Sequence, residues 1–267
     1  MSAAAATPTP PAPGSAEAAS RLRSMYHALL AAYGPQGWWP AKSPLEVIVG
    51  AYLTQNTAWK AVERSLANLS ERGLLHLDGL RAVSEEELRE LIRPSGFMLR
   101  KAAAIKAFIY FLDREFAGSL TALAAVPVER LRPRLLALPG VGEETADAIL
   151  LYALERPVMV VDEYLRRIAN RHALIPAGWR YADLQSFAAS AFGDLAERRR
   201  TGAFNEFHAL AVAAGKIHCG RIPRCDGCPL AGYLPAAETF AEIRPEPEPA
   251  PTPIYTHTEW TQTKRRN

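Results

Sequence analysis

Two short stretches of this sequence hold residues whose types and spacing could do chemistry together. The first is Leu138-Pro139-Gly140-Val141-Gly142-Glu143-Glu144-Thr145-Ala146, and the second is Val160-Val161-Asp162-Glu163-Tyr164. Pro139, Gly140 and Gly142 interrupt helical periodicity, and the glycines permit a positive φ or the close approach of another backbone. Such a turn leads successive N–H groups into the next helix, where they can meet a phosphate. An ordinary tight connection between two helices would use the same residues. Asp162 follows Gly142 by 20 residues, beyond one helix and the short apolar run from Pro157 to Val161. Its local role is N-cap of a helix starting at Glu163. A cap is also a rigid place to hold a carboxylate.

Three further groups stand out. Trp38-Trp39-Pro40 is an unusual pairing just outside a helix, and Trp59 follows it. Core packing is the plain reading of these indoles. Thr54-Gln55-Asn56-Thr57 places four polar side chains between two apolar helical runs, which suits a surface that meets a polar ligand. Cys219, Cys225 and Cys228 are the chain's only cysteines, crowded into ten residues. That crowding is not a disulfide framework.

The elements that must position these residues are helical. Leu22, Met25, Tyr26, Leu29 and Leu30 recur at helical spacing between Arg21 and Tyr33. Ser43-Pro44 reads as an N-cap and first helical residue, and Ser84-Glu-Glu-Glu87 as a capping-box start. Helices are predicted from Trp59 to Leu69, to Ile92, from Phe97 to Phe116, and from Val128 to Leu138. Others run from Thr145 to Leu154, after Asp162 to Arg171, from Tyr181 to Phe192 and from Phe204 to Lys216. Arg100, Lys101 and Lys106 lie on the helix that follows Phe97, where a solvated face is the plain reading. No stretch alternates as a strand would, and no repeat is found. The predicted fold class is all-α.

The chain has 267 residues, of which 49% are hydrophobic and 22% charged, as in an ordinary globular protein. A net charge of +3 gives no bulk argument for a polyanionic partner, so any such surface must be local. No apolar run is long enough to span a membrane and no export signal opens the chain, which predicts a cytoplasmic protein. Residues 1–20, rich in Ala and Pro, and 236–267, rich in Pro, Glu and Thr and ending in Lys264-Arg-Arg266, read as disordered tails.

Leu-Pro-Gly-Val-Gly-x-x-Thr-Ala, a helix and then Val-Asp resembles the helix-hairpin-helix DNA glycosylases of the endonuclease III superfamily. The resemblance covers about residues 21–235. It implies two helical domains with the damaged base bound in a cleft between them. One domain would be a six-helix bundle over 36–155 that carries the hairpin. The other would join 21–35 to 156–235 and include the cysteine loop. It further implies double-stranded DNA as partner, a protein acting as a monomer, and hairpin contacts from Leu138, Pro139, Gly140, Val141, Gly142 and Thr145. The helix bearing Arg100, Lys101 and Lys106 would lie near the DNA backbone. Asp162 would be the catalytic carboxylate, activating water or stabilising positive charge on the sugar.

The pattern departs from the family in two places. Bifunctional members have a lysine two residues after the second hairpin glycine, where this chain has Glu144. A carboxylate forms no imine, so a monofunctional enzyme without lyase activity is expected. Iron–sulfur members carry four cysteines, whereas here Cys219, Cys225 and Cys228 supply three and Leu234 stands at the fourth position. A [4Fe-4S] cluster with an incomplete ligand set, a zinc site completed by His218, and a vestigial loop all stay open, and any metal would be structural.

Within the superfamily the residues look like the 3-methyladenine DNA glycosylase branch. That branch has Glu at the lysine position and stacks the base on aromatic residues, which match Trp38 or Trp39 and Trp59. Its pocket lysine matches Lys216, and Gln55 matches the residue that fills the gap left by a flipped nucleotide. Alkylated purines are cationic, stack on electron-rich rings and leave readily. A uracil or mismatched-thymine glycosylase and a non-catalytic DNA-binding protein are the alternatives.

Overall fold

The computed structural model describes residues 11–235. Twelve α-helices run in chain order: α1 Ala16–Tyr33, α2 Pro44–Thr54, α3 Trp59–Glu71, α4 Leu77–Ala82, α5 Glu85–Leu91 and α6 Met98–Phe116. There follow α7 Leu120–Ala124, α8 Val128–Leu136, α9 Glu143–Ala148, α10 Glu163–Arg171, α11 Tyr181–Ser190 and α12 Glu197–Ile217. Among the described residues there is no strand, only one isolated bridge between Cys219 and Pro223. Among the described residues no helix is long and apolar enough to cross a membrane.

Local chemistry sets five of the helix starts. Side chains of Ser15, Ser43, Ser84, Ser119 and Asp162 each accept a hydrogen bond from the backbone N–H three residues on. Each thereby satisfies one of the donors that a helix N-terminus leaves open. The Ser15 cap corrects the expectation that residues up to 20 are disordered, because α1 already begins at Ala16. The rest of that expected tail, residues 1–10, and the expected tail over 236–267 lie outside the described residues.

Helix α2 is the centre of the first group of helices. Leu45 and every residue from Val47 to Leu53 are buried, so α2 reaches solvent only through Pro44 and Glu46 in its first turn and Thr54 at its end. It packs against α3, α6, α9 and the segment after α9. Helix α1 buries Leu22, Met25, Tyr26 and Leu29 and packs on α11 and α12, while α10 also lies on α12. Gly215 of α12 is required at that last contact, since a Cβ there would sit 2.2 Å from the Tyr164 ring.

Two expected basic surface residues prove to be internal fasteners. Lys101 is 4% exposed and donates to Leu53 O at 2.8 Å, Thr57 Oγ1 at 2.7 Å and Ser95 O at 2.9 Å. Lys106 donates to the carbonyls of Leu80, Arg81 and Val83 at the end of α4. Both ammonium groups are taken up by backbone carbonyls and a hydroxyl of their own chain, Lys101 buried and Lys106 half-buried. Of the three, Arg100 stays exposed.

Candidate active site

The hairpin joins α8 to α9. Gly140 has φ +74°, which a side chain would strain, whereas Gly142 has φ −95° and is not needed for the turn. A Cβ on Gly142 would meet nothing within 4 Å, so its position is open to a close approach from outside. Pro139, Gly140, Gly142, Glu143 and Glu144 face solvent, while Val141 and Thr145 anchor the turn inward. Gln55, at the end of α2, donates from Nε2 to Gly140 O at 2.7 Å and to Thr145 Oγ1 at 2.9 Å. The side chain expected to fill a gap in a duplex therefore braces the hairpin here.

Asp162 is 8% exposed and caps α10, with Oδ1 accepting from Leu165 N at 2.7 Å. Its position is fixed from behind by buried polar groups. Asp147 of α9, with no exposed surface, receives Arg132 in a two-bond clamp at 2.7 and 2.9 Å. Gln185 Nε2 then donates both to Asp147 Oδ2 and to Met159 O, each at 2.7 Å. Met159 belongs to the buried run that ends at Asp162. One network thus ties the hairpin to the segment that delivers the carboxylate, and satisfied networks of this kind are rigid.

Glu144 approaches the same place from the first turn of α9. Its pKa is pushed up to about 7, first by the protein packed around it, then by the negative charges of Asp162 and Glu163. The side chain remains open to solvent on one side. The carboxyl groups of Glu144 and Asp162 therefore face one site.

The indoles form a closed cluster. Ring centroids of Trp38 and Trp59 are 4.6 Å apart with planes at 64°, and Trp39 lies 5.4 Å from both Trp59 and Tyr152. Trp39 also covers Gly50, where a Cβ would come within 3.0 Å of the indole. The expected sandwich is not preformed, because two parallel rings around a base need about 7 Å between them, two contacts of 3.5 Å. Trp39 Nε1 is buried without a hydrogen-bond partner.

The matches to known proteins fall on this same region. The family described as HhH-GPD superfamily base excision DNA repair protein matches residues 49–187, which span the Trp59, hairpin and Asp162 elements. The chain belongs to this superfamily. A Methanocaldococcus jannaschii protein assigned as a DNA repair glycosylase is 41% identical over 215 residues, covering 79% of this chain and 94% of the relative. A solved H. pylori 3-methyladenine DNA glycosylase, bound to 1,N6-ethenoadenine, is 28% identical with a TM-score of 0.63. That match covers 74% of this chain and 97% of that one. An endonuclease III–DNA complex at 21% identity and TM-score 0.68, covering 84% and 98%, shares the fold. The protein is accordingly a helix-hairpin-helix member of the DNA glycosylase family, all-α and of endonuclease III type.

The remaining expected residues lie apart from Asp162. Lys216 is exposed in the last turn of α12 and makes no hydrogen bond or ion pair among the described residues. It lies eight residues beyond His208, about 12 Å along the helix and about 80° around it. The residue that α12 directs at Asp162 is His208, whose Nε2 lies 3.7 Å from Asp162 Oδ2.

The cysteines line one cavity with His172, His218 and Leu234. Cys219 Sγ accepts from Arg171 at 3.2 Å, and burial, with its two cysteine neighbours, pushes the Cys228 thiol up. No group of three His, Cys, Asp or Glu among the described residues converges on a single ion. Leu234 brings only carbon to the fourth position, so the donor set does not complete a cluster. Arginine side chains hold the loop instead: Arg167 donates to Cys219 O and Arg171 to Gly220 O and Arg221 O.

Sequence reasoning missed four residues here. Tyr152 and His208 sit behind Asp162. Lys101 fastens the turn that carries Gln55. Phe97, with φ +47° and 60% exposed, lies beside Gln55, Arg100 and Gly140 at the mouth of one cavity. Only Phe97 left a trace in the sequence, as an aromatic directly after the helix-ending Pro94-Ser-Gly96.

Proposed function

We propose that this chain is a monofunctional DNA glycosylase that flips damaged bases, most of all alkylated purines of the 3-methyladenine type, out of double-stranded DNA and hydrolyses the N-glycosidic bond. The observation that carries this reading is the pairing of Glu144 with Asp162 at the hairpin. The position that holds an amine in lyases holds a carboxyl group, and a carboxylate sits behind it.

The chemistry follows from those groups. An N3- or N7-alkylated purine carries positive charge, so when the C1′–N bond breaks the base departs with the bonding electrons as a neutral molecule. Positive charge then develops on the sugar. Asp162, fixed by its cap bond, stabilises that charge with its carboxylate and orients the attacking water. Glu144, with a pKa of about 7, offers no nucleophilic amine, so water completes the reaction.

Selection falls to the indole cluster. A cationic purine gains from contact with tryptophan faces in a water-poor site, which an uncharged pyrimidine gains far less. Entry of the base parts Trp38 from Trp59, replacing their edge-to-face contact with stacking on the base. The hairpin, with the open backbone at Gly142, and Arg100 meet phosphates, and these contacts carry no sequence preference. Phe97, exposed beside Gln55, stacks among the bases next to the flipped nucleotide. The cysteine loop takes no part in the chemistry.

Base release from duplexes carrying 3-methyladenine, uracil opposite guanine or thymine opposite guanine tests the reading, with strand breaks scored before and after alkali. Methylpurine release with breaks only after alkali supports it. Release of uracil or thymine alone moves the substrate to pyrimidines, and breaks without alkali overturn the monofunctional assignment.

A further inference from the structure

We propose that Tyr152 and His208 are positioning residues for Asp162: the Tyr152 hydroxyl holds His208 in the tautomer that bears its proton on Nε2, and that N–H is aimed at Asp162 Oδ2. The inference rests on the reading of Asp162 as the carboxylate that serves base release.

The geometry comes from three separate elements. Helix α9 does not end as an α-helix; Ile149–Ala153 continues it as a π turn. Such a turn inserts one residue, rotates those beyond it, and is often found at functional sites. Here it carries Tyr152, which is buried between Trp39 and His208. The Tyr152 hydroxyl lies 2.5 Å from His208 Nδ1. The other imidazole nitrogen, Nε2, faces Asp162 Oδ2 at 3.7 Å. Asp162 Oδ1 is already engaged by Leu165 N, so Oδ2 is the oxygen left for the histidine.

Proton placement follows from burial. The tyrosine is held far above its ordinary pKa and keeps its hydrogen; its hydroxyl lies 3.4 Å from Asn205 O, too long for a good O–H···O bond, and 2.5 Å from His208 Nδ1, so the hydrogen goes to the imidazole. A nitrogen that accepts cannot carry a proton, which leaves the imidazole hydrogen on Nε2. His208 is driven toward the neutral form by burial, with Asp162 pulling the other way. A neutral donor suits the task, because it orients the carboxylate while leaving its negative charge available to the sugar. The 3.7 Å separation is about 0.7 Å too long for a good hydrogen bond and too short to admit a water. Contacts of this kind commonly tighten when substrate binds. Tyr152 also touches Trp39 of the base pocket, so one residue borders both base and carboxylate.

Two measurements on the full-length protein test the pair. Imidazole 15N NMR, with His208→Gln to assign the signal, should show His208 neutral and protonated on Nε2. Tyr152→Phe, which keeps the ring, should shift it toward a mixture of tautomers. Single-turnover base release from methylated duplex DNA and from a uracil·guanine duplex should fall about 10- to 100-fold in Tyr152→Phe, the range for a hydrogen bond to a charged group. The dissociation constant for the duplex should be unchanged.

His208→Leu should lose at least as much. His208→Gln, whose amide N–H reaches the Nε2 position, should recover most of that loss. Within the His208→Gln background, Tyr152→Phe should cost nothing more, because no tautomer remains to be set. An unaltered tautomer and an unaltered rate in Tyr152→Phe would overturn the proposal. If the wild type releases no base from either duplex, the glycosylase reading fails, and the NMR result still decides the Tyr152–His208 pair.

Discussion

Glu144 gives the sharpest test of the electrostatics in the cleft. Replacing it by Gln keeps size and polarity but removes the carboxylate that Asp162 and Glu163 oppose. The protonated form is favoured by the folded state, since the pKa rises from 4.5 to about 7. A carboxyl group raised in this way contributes stability that is fully present below about pH 4.5 and is lost as the pH climbs through about 7. The full span corresponds to about 3.4 kcal/mol at 1.36 kcal/mol for each tenfold change in proton affinity. Glu144 is open to solvent on one side. Water and salt therefore screen its repulsion, and about 1 kcal/mol is the expected penalty. The assay is thermal unfolding of wild type and Glu144→Gln at pH 5 and pH 8 in low salt. The variant should gain on the wild type as the pH rises, by about 2–4 °C at pH 8 for a chain of this size. The gain should shrink in high salt. An unchanged difference between the two pH values, or a variant less stable than wild type at pH 8, would refute the crowding of Glu144 against Asp162.

Asp162→Asn should lower base release by about 10²- to 10³-fold, the usual scale for removing one electrostatic stabiliser. Asn caps helices as well as Asp, so a melting curve should change little and a gel-shift assay should still detect DNA binding. Asp147→Ala strands the Arg132 guanidinium and Gln185, and should cost about 3 kcal/mol, the low end for breaking a buried pair because Arg132 reaches solvent. Urea unfolding measures that loss, and a cost under 1 kcal/mol would mean the clamp does not hold the hairpin. Glu144→Lys restores the amine that lyases use. It should yield strand breaks without alkali and a protein–DNA crosslink on borohydride reduction, both absent from the wild type.

The family resemblance was carried by residues close together in sequence. Leu138 to Ala146 and Asp162 lie within 25 positions of one another, and their roles as turn and cap depend on local backbone geometry. Asp162 bonds to Leu165, three residues on, and Gly140 takes the positive φ that its lack of a Cβ permits. By contrast, the basic residues of α6 were misread because charge alone does not say which way a helix faces. Lys101 finds its three carbonyl and hydroxyl partners on α2, the turn after it and the turn before α6, and no local pattern announces them. For a related reason register along α12 decides which of its side chains meets Asp162, and it brings His208 there rather than Lys216.

By itself, then, the sequence determined the helical class, the capped starts of helices, the hairpin turn and the Asp162 cap that holds a carboxylate in place. Each depends on bonds between residues three or four apart, which amino-acid type and spacing control directly. Only the tertiary structure decided what surrounds that carboxylate. Tyr152 is 10 residues before Asp162 and His208 is 46 after it. They meet only because a π turn rotates one inward while α12 packs beside α10. The closing of Trp38, Trp39 and Trp59 onto one another is likewise a packing outcome, since aromatic rings bury surface against whatever neighbours the fold supplies.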